Sequence, residues 1–248
     1  MRVLILGGSS EASALARLLA GRRDIEATLS LAGRTSNPAT MPIASRSGGF
    51  GGVEGLVAHL ERERIEAVID ATHPFAAQMS RHAAEACARL HLPRLVLTRA
   101  AWKPREGDRW IEVADAAEAA QALGPAPRRV LLTLGRLSLP AFAAAPQHRY
   151  VIRSIDAPQG LDALPDHRLI LARAPFSVEE ELGLMRAEGI DILVSKNSGG
   201  EASYAKIEAA RRLALPVVML RRPKPDDAEA CHDPAGALAW LERHGRAP

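Results

Sequence analysis

The strongest constraint on this chain is its regular exchange of short apolar runs for amphipathic stretches. The exchange starts at "VLILGGSSEASALARLLAG", residues Val3 to Gly21. An apolar run, a glycine turn and a stretch of helical period make a strand–turn–helix unit. The unit recurs. Strands are predicted over Arg2–Leu6, Glu26–Leu31, Ala67–Asp70 and Arg94–Leu97. Helices are predicted over Glu11–Ala20, through Val53, Leu56, Val57 and Leu60, and along a face of Phe75, Met79, Ala83, Ala86 and Leu90. "LGPAPRR" (Leu123–Arg129) reads as a linker, after which the pattern restarts. Further strands are predicted at Val130–Leu134, Tyr150–Arg153, Leu169–Ala172, Asp191–Ser195 and Pro216–Leu220. Val178, Leu182 and Met185 mark a helix, and Glu201–Leu213 and Pro234–Arg243 two more. Strands alternating with helices imply an α/β architecture with mostly parallel sheets flanked by helices. Two domains are expected, residues 1–124 and 125–248, without a visible sequence repeat, and with a ligand site in the cleft between them.

Composition narrows the function. No apolar run approaches the roughly 20 residues that cross a bilayer, and no basic leader precedes the first strand. A cytoplasmic protein without a membrane partner is expected. Two cysteines and eight scattered histidines without an H-x-x-x-H pair show no metal-ligand spacing, so no metal is expected. The net charge of +3 suits a small anionic ligand. Aromatics are 4% and there is no lysine-rich arm, which argues against nucleic acid.

In an open parallel sheet, ligands bind beyond the carboxyl ends of the strands. Four loops follow predicted strands there. In "GGSSEA" (Gly7–Ala12), the third position of the usual G-x-G-x-x-G pattern holds Ala12. Gly8 permits close backbone approach to a phosphate, and Ser9 and Ser10 add donors or cap the helix. Glu11 would repel a phosphate, so it serves a ribose or the helix N-terminus. A plain β–α turn is the competing reading. In "GRTSNP", Gly33, Arg34 and Thr35 stand where NAD-binding folds carry an acidic residue; the guanidinium instead suits a 2′-phosphate, hence NADPH. In "DATHPFA", Pro74 fits a first helical turn with Thr72 or His73 as cap, and His73 could exchange a proton. In "LVSKNSGGEASYAK", Lys196 could hold a carboxylate or supply a proton beside the donors Asn197 and Ser198. Arg99, Gly135–Arg136 and Arg153 close further strands and could clamp carboxylates, although each alone also reads as surface charge.

Together, "ILGGSSEA", "DATHPFA", "TLGR" and "VSKNSGG…KIEAARRLALPVVMLRRP" resemble the precorrin-6A reductase family of cobalamin biosynthesis, in order and spacing, over nearly the whole chain. The resemblance implies two Rossmann-like domains with the site between them. It also implies hydride transfer from a nicotinamide cofactor to the C18=C19 double bond of precorrin-6A, giving precorrin-6B, with no flavin or metal. By position, Gly8, Ser9, Ser10 and Glu11 match the cofactor loop, and Thr72 and His73 a second loop at the cofactor. Gly135, Arg136, Lys196, Asn197 and Ser198 match substrate-facing loops. Where the family often has Arg-Pro before a tryptophan, this chain has Arg99-Ala100-Ala101-Trp102. The implied substrate is a flat polycarboxylate, which suits strand-end arginines. Lys196 and His73 are the candidate proton donors, with solvent as a third source. Transient contact with neighbouring pathway enzymes is expected as well. Two other readings fit the residues: an NADP-dependent reductase of another small molecule, and a nucleotide-sensing protein without turnover.

Overall fold

The computed structural model describes residues 1–33, 40–224 and 227–245. The chain divides into two compact units: Met1–Ala100 with Pro223–Pro248, and Ala101–Arg222.

The first unit holds β1 (Arg2–Leu6), α1 (Ser10–Leu18), β2 (Glu26–Leu31), β3 (Ala44–Ser47), α2 (Val53–Arg62), β4 (Ala67–Asp70), α3 (Ala77–Leu90) and β5 (Arg94–Leu97). The second holds β6 (Arg109–Val113), α4 (Ala116–Ala122), β7 (Arg129–Leu132), β8 (Arg149–Ser154), β9 (His167–Leu171), α5 (Val178–Ala187), β10 (Ile192–Lys196), α6 (Ala205–Arg212) and β11 (Pro216–Leu220). The chain then returns to the first unit as β12 (Ala230–Cys231) and α7 (Pro234–His244).

Each unit is a six-stranded sheet in which every pairing is parallel. The first runs β12-β5-β4-β1-β2-β3 and the second β6-β11-β10-β7-β8-β9. Position by position the two orders correspond. The edge strand beside β11, β6, precedes the second unit's other strands, whereas the edge strand beside β5, β12, is supplied from beyond the second unit. The repeat absent from the sequence is therefore present in the topology.

Central strands are apolar because both faces are covered. In β1, Val3 and Ile5 pack with Leu15 of α1 and Trp240 and Leu241 of α7. Leu4 and Leu6 face Leu56 and Leu60 of α2 and Ala83 and Cys87 of α3. Fully burying one such side chain is worth about 1.5–3 kcal/mol. In the second unit, Leu131, Val151, Leu193 and Met219 share a core with Met185 and Ile207 of α5 and α6. Across that sheet, Tyr150 meets Phe142 edge-on and its hydroxyl donates to the Ala145 carbonyl at 2.7 Å.

Two sequence expectations need correction. The 123–129 segment is not a linker: Leu123 is fully buried and, with Gly124 at φ +76°, turns the chain from α4 into β7 inside the second unit. The boundaries fall instead after Ala100 and after Arg222, because β6 pairs with β11 and β12 with β5. Nor does a helix start at Pro74. α3 begins at Ala77 without a side-chain cap. The Thr72 hydroxyl donates to Asp70, the Phe75 N–H is taken by His73 Nδ1, and the Ala76 N–H by the His73 carbonyl, so these residues form a turn of their own.

Candidate active site

In the first sheet the strand order reverses between β1 and β4, and crevices at such switch points are where dinucleotides bind. The loops after these two strands carry the predicted cofactor residues. The Gly7 N–H continues the sheet by donating to the Ser30 carbonyl at 2.8 Å. A Cβ there would stand 2.8 Å from Leu29 Cδ1 and 3.0 Å from Leu31 Cδ2, so a larger residue would have to push these leucine side chains aside. Gly8 has φ +134°, a conformation glycine adopts without strain, and only the His73 nitrogen, at 3.7 Å, approaches the place its Cβ would fill. The cradle is open, as a phosphate site requires.

Ser9 caps α1, accepting the Ala12 N–H at 3.1 Å, and donates the same hydroxyl to the Ala71 carbonyl at 2.7 Å. One side chain thus ties the loop after β1 to the loop after β4. The latter is held by a residue that sequence reasoning did not single out. Asp70, buried at the end of β4, accepts the Thr72 hydroxyl at 2.8 Å and the Thr72 N–H at 3.2 Å. Its other oxygen lies 3.8 Å from Arg94 Nη1. The available signal was a charge closing the otherwise apolar strand "AVID". The Phe75 N–H donates to His73 Nδ1 at 3.2 Å, so a neutral ring carries its proton on Nε2.

Arg99, expected among the substrate arginines, stands in the first unit beside the glycine loop. It meets Glu11 at 2.8 Å and donates to the Ser10 hydroxyl at 3.2 Å. Burial pushes the Glu11 carboxyl upward, but its own backbone N–H at the start of α1 and the Arg99 guanidinium outweigh burial and hold it below its ordinary value. Gly33, at φ +67°, passes the end of β3, where a Cβ would stand 3.2 Å from Ser47 Oγ. Arg34 and Thr35 lie outside the described residues.

The second sheet reverses its order between β7 and β10. Gly135 follows β7, and Lys196 ends β10. A Cβ on Gly135 would lie 3.7 Å from Lys196 Nζ, so the ammonium rests over that glycine. Arg136 is exposed at the start of a 3₁₀ stretch, Arg136–Ala144, that contains Pro140. Asn197 and Ser198 are nearly buried. The Asn197 amide is engaged by the Trp102 backbone, accepting its N–H at 2.8 Å and donating to its carbonyl at 2.9 Å. Arg153 is turned away from any strand-end clamp. Its guanidinium donates to Glu181 of α5 at 2.7 Å, both side chains buried, and stacks 4.1 Å from the Phe176 ring. Parity explains this: Arg153 shares a face with Val151, the face α5 covers. Among the described residues no group of three or more metal-ligating side chains assembles, and no helix is long and apolar enough to cross a membrane.

Residues 2–242 match the family described as Precorrin-6x reductase CbiJ/CobK. Precorrin-6A reductase of Rhodobacter capsulatus is 48% identical over 100% of this chain and 98% of its own. A solved structure titled CobK precorrin-6A reductase superposes with a TM-score of 0.93 at 48% identity, covering 100% of this chain and 98% of that one. Cobalt-precorrin-6A reductase of Priestia megaterium is 27% identical over 90% of this chain and 91% of its own.

Proposed function

The chain belongs to the precorrin-6x reductase family and its reaction is the reduction of precorrin-6A; on that premise we propose that NADPH is the reductant and that the carboxyl edge of the first sheet holds it. The observation that carries this is the Ser9 hydroxyl bridging α1 to the Ala71 carbonyl across the β1/β4 switch point. Gly8, Ser9 and Ser10 hold the pyrophosphate at the N-terminus of α1, where backbone N–H groups and the helix dipole favour an anion. Glu11 neutralises Arg99 rather than meeting the phosphate. Thr72 and His73 line the other side of the switch point. Gly33, Arg34 and Thr35 take the 2′-phosphate end. The second unit's corresponding strand, β7, leads into 3₁₀ turns with Pro140. It lacks the capped helix start that recommends the first unit for the nucleotide.

Substrate carboxylates are assigned to Gly135, Arg136, Lys196 and Ser198 at the second switch point. The cobalt-free macrocycle is the substrate, in keeping with 48% identity to a relative named for it and 27% to one named for the cobalt form. NADPH supplies the hydride that adds to one carbon of the C18=C19 bond. The other carbon then takes a proton, from Lys196, from His73 or from solvent. The product is precorrin-6B, released in the cytoplasm and passed on by transient contact with neighbouring enzymes of the route.

Anaerobic incubation with precorrin-6A tests the reading. The macrocycle spectrum should shift with NADPH and not without it. Arg34→Ala should raise KM for NADPH by roughly tenfold or more while leaving that for NADH within about twofold; equal effects would remove Arg34 from the 2′-phosphate.

A further inference from the structure

We infer that Arg222 and Asn197 form a clasp that positions the Lys196–Ser198 loop for substrate, anchoring it to the two points where the chain enters and leaves the second unit. This rests on the reading that the loop meets the substrate.

The loop is a tight turn. The Asn197 N–H donates to the Leu220 carbonyl at 3.0 Å, and the Ser198 N–H to the Lys196 carbonyl at 2.7 Å. Both N–H groups are thus satisfied within the sheet edge. The carbonyls of Asn197 and Ser198 point elsewhere, in a nearly buried setting where an unmade hydrogen bond is costly. Arg222 takes both: Nε donates to the Asn197 carbonyl at 2.8 Å and Nη2 to the Ser198 carbonyl at 2.7 Å. A planar guanidinium fixes two acceptors at once, which a point charge cannot do as well.

The side chain of Asn197 faces the other way. It pairs with both backbone groups of Trp102, as an added strand residue would. Trp102 is itself fastened to the same loop. Its indole N–H donates to the Gly200 carbonyl at 2.9 Å. Lys206 lies 5.2 Å from its ring and donates to the Ser203 carbonyl at 2.9 Å. The second unit starts at Ala101 and ends at Arg222. Its first and last segments therefore meet at one residue, Asn197. With its amide used in this way, Asn197 is a positioning residue. Arg222 acts through the loop it grips, at one remove from Lys196.

The test is steady-state kinetics of the full chain on precorrin-6A, with whichever nucleotide the wild type uses. Arg222→Ala should raise KM for precorrin-6A by roughly tenfold to a hundredfold, the worth of hydrogen bonds to a charged group, and leave KM for the nucleotide within about twofold. Arg222→Lys should recover part of the loss. Arg221→Ala, an exposed neighbour, should leave both constants unchanged. Asn197→Asp keeps size and the acceptor for the Trp102 N–H but sets an oxygen against the Trp102 carbonyl. It should move KM for precorrin-6A in the same direction, and it carries the test by the same criteria if Arg222→Ala does not fold. Variants that shift substrate KM no more than Arg221→Ala, or raise nucleotide KM equally, overturn the clasp. An inactive wild type overturns the functional reading and the clasp together; an active wild type with unmoved variants overturns the clasp alone.

Discussion

A carboxylate in the first turn beside a glycine loop would repel an anion bound there unless a cation neutralises it, and Arg99 does so for Glu11. The pair has a pH consequence. Glu11's folded value is lowered, so its contribution to stability is present above the ordinary carboxylate value and is lost as pH falls through its own lower one. Thermal melts across acid pH should show wild type losing an increment there that Glu11→Gln lacks. At Lys196, replacement by alanine should lower kcat on saturating precorrin-6A by about a hundredfold if the ammonium delivers the proton, measured in single turnover. An unchanged rate assigns the step to His73 or solvent. Residue types at strand ends were legible in the sequence: Gly8, Ser9, Thr72, Gly135 and Lys196 all stand at the two switch points. What could not be read was which neighbour takes each charge. Arg99, Arg153 and Asn197 all end strands or open loops, yet Glu11, Glu181 and the Trp102 backbone engage them. Such pairings depend on residues 88, 28 and 95 positions apart.

At the scale of elements, legibility followed burial. β1, β2, β4, β5 and β11 match their sequence bounds and β7, β8, β9 and β10 fall within two residues of theirs, because each carries buried or half-buried apolar residues to read. β3 is "ASRS" and β6 "RWIEV", both mostly exposed at sheet edges, and β12 has two residues; none carries an apolar run to read. α1 illustrates how an element makes a site. Its cap is also the tie to the loop after β4, so Ser9→Ala removes two hydrogen bonds with one oxygen. The substitution should cost about 1 kcal/mol of stability as a lost cap, read from denaturant unfolding. It should weaken NADPH binding by more than that loss predicts, since the Ala71 loop is released too. A binding loss no larger than the stability loss would confine Ser9 to capping.

Across the whole molecule, two units of equal strand order exchange edge strands in chain order, β6 following β5 and β12 following β11, a relation that sequence periodicity does not display because neither strand carries a long apolar run. Residues 101–222 include every strand of their sheet, whereas residues 1–124 lack β12 and α7 and include β6 and α4, which belong elsewhere. A polypeptide of residues 101–222 should therefore unfold cooperatively in denaturant, and one of residues 1–124 should not; the reverse result would reinstate the boundary expected from the glycine–proline stretch. Without α7, the faces of Ile5 and Leu15 that meet Trp240 and Leu241 are bare. The same exchange sets a timetable on the ribosome. The half that begins first waits, its apolar flank in need of shelter, while the later half is made and closes; the first sheet and its helical cover are completed only when residues 230–244 have emerged.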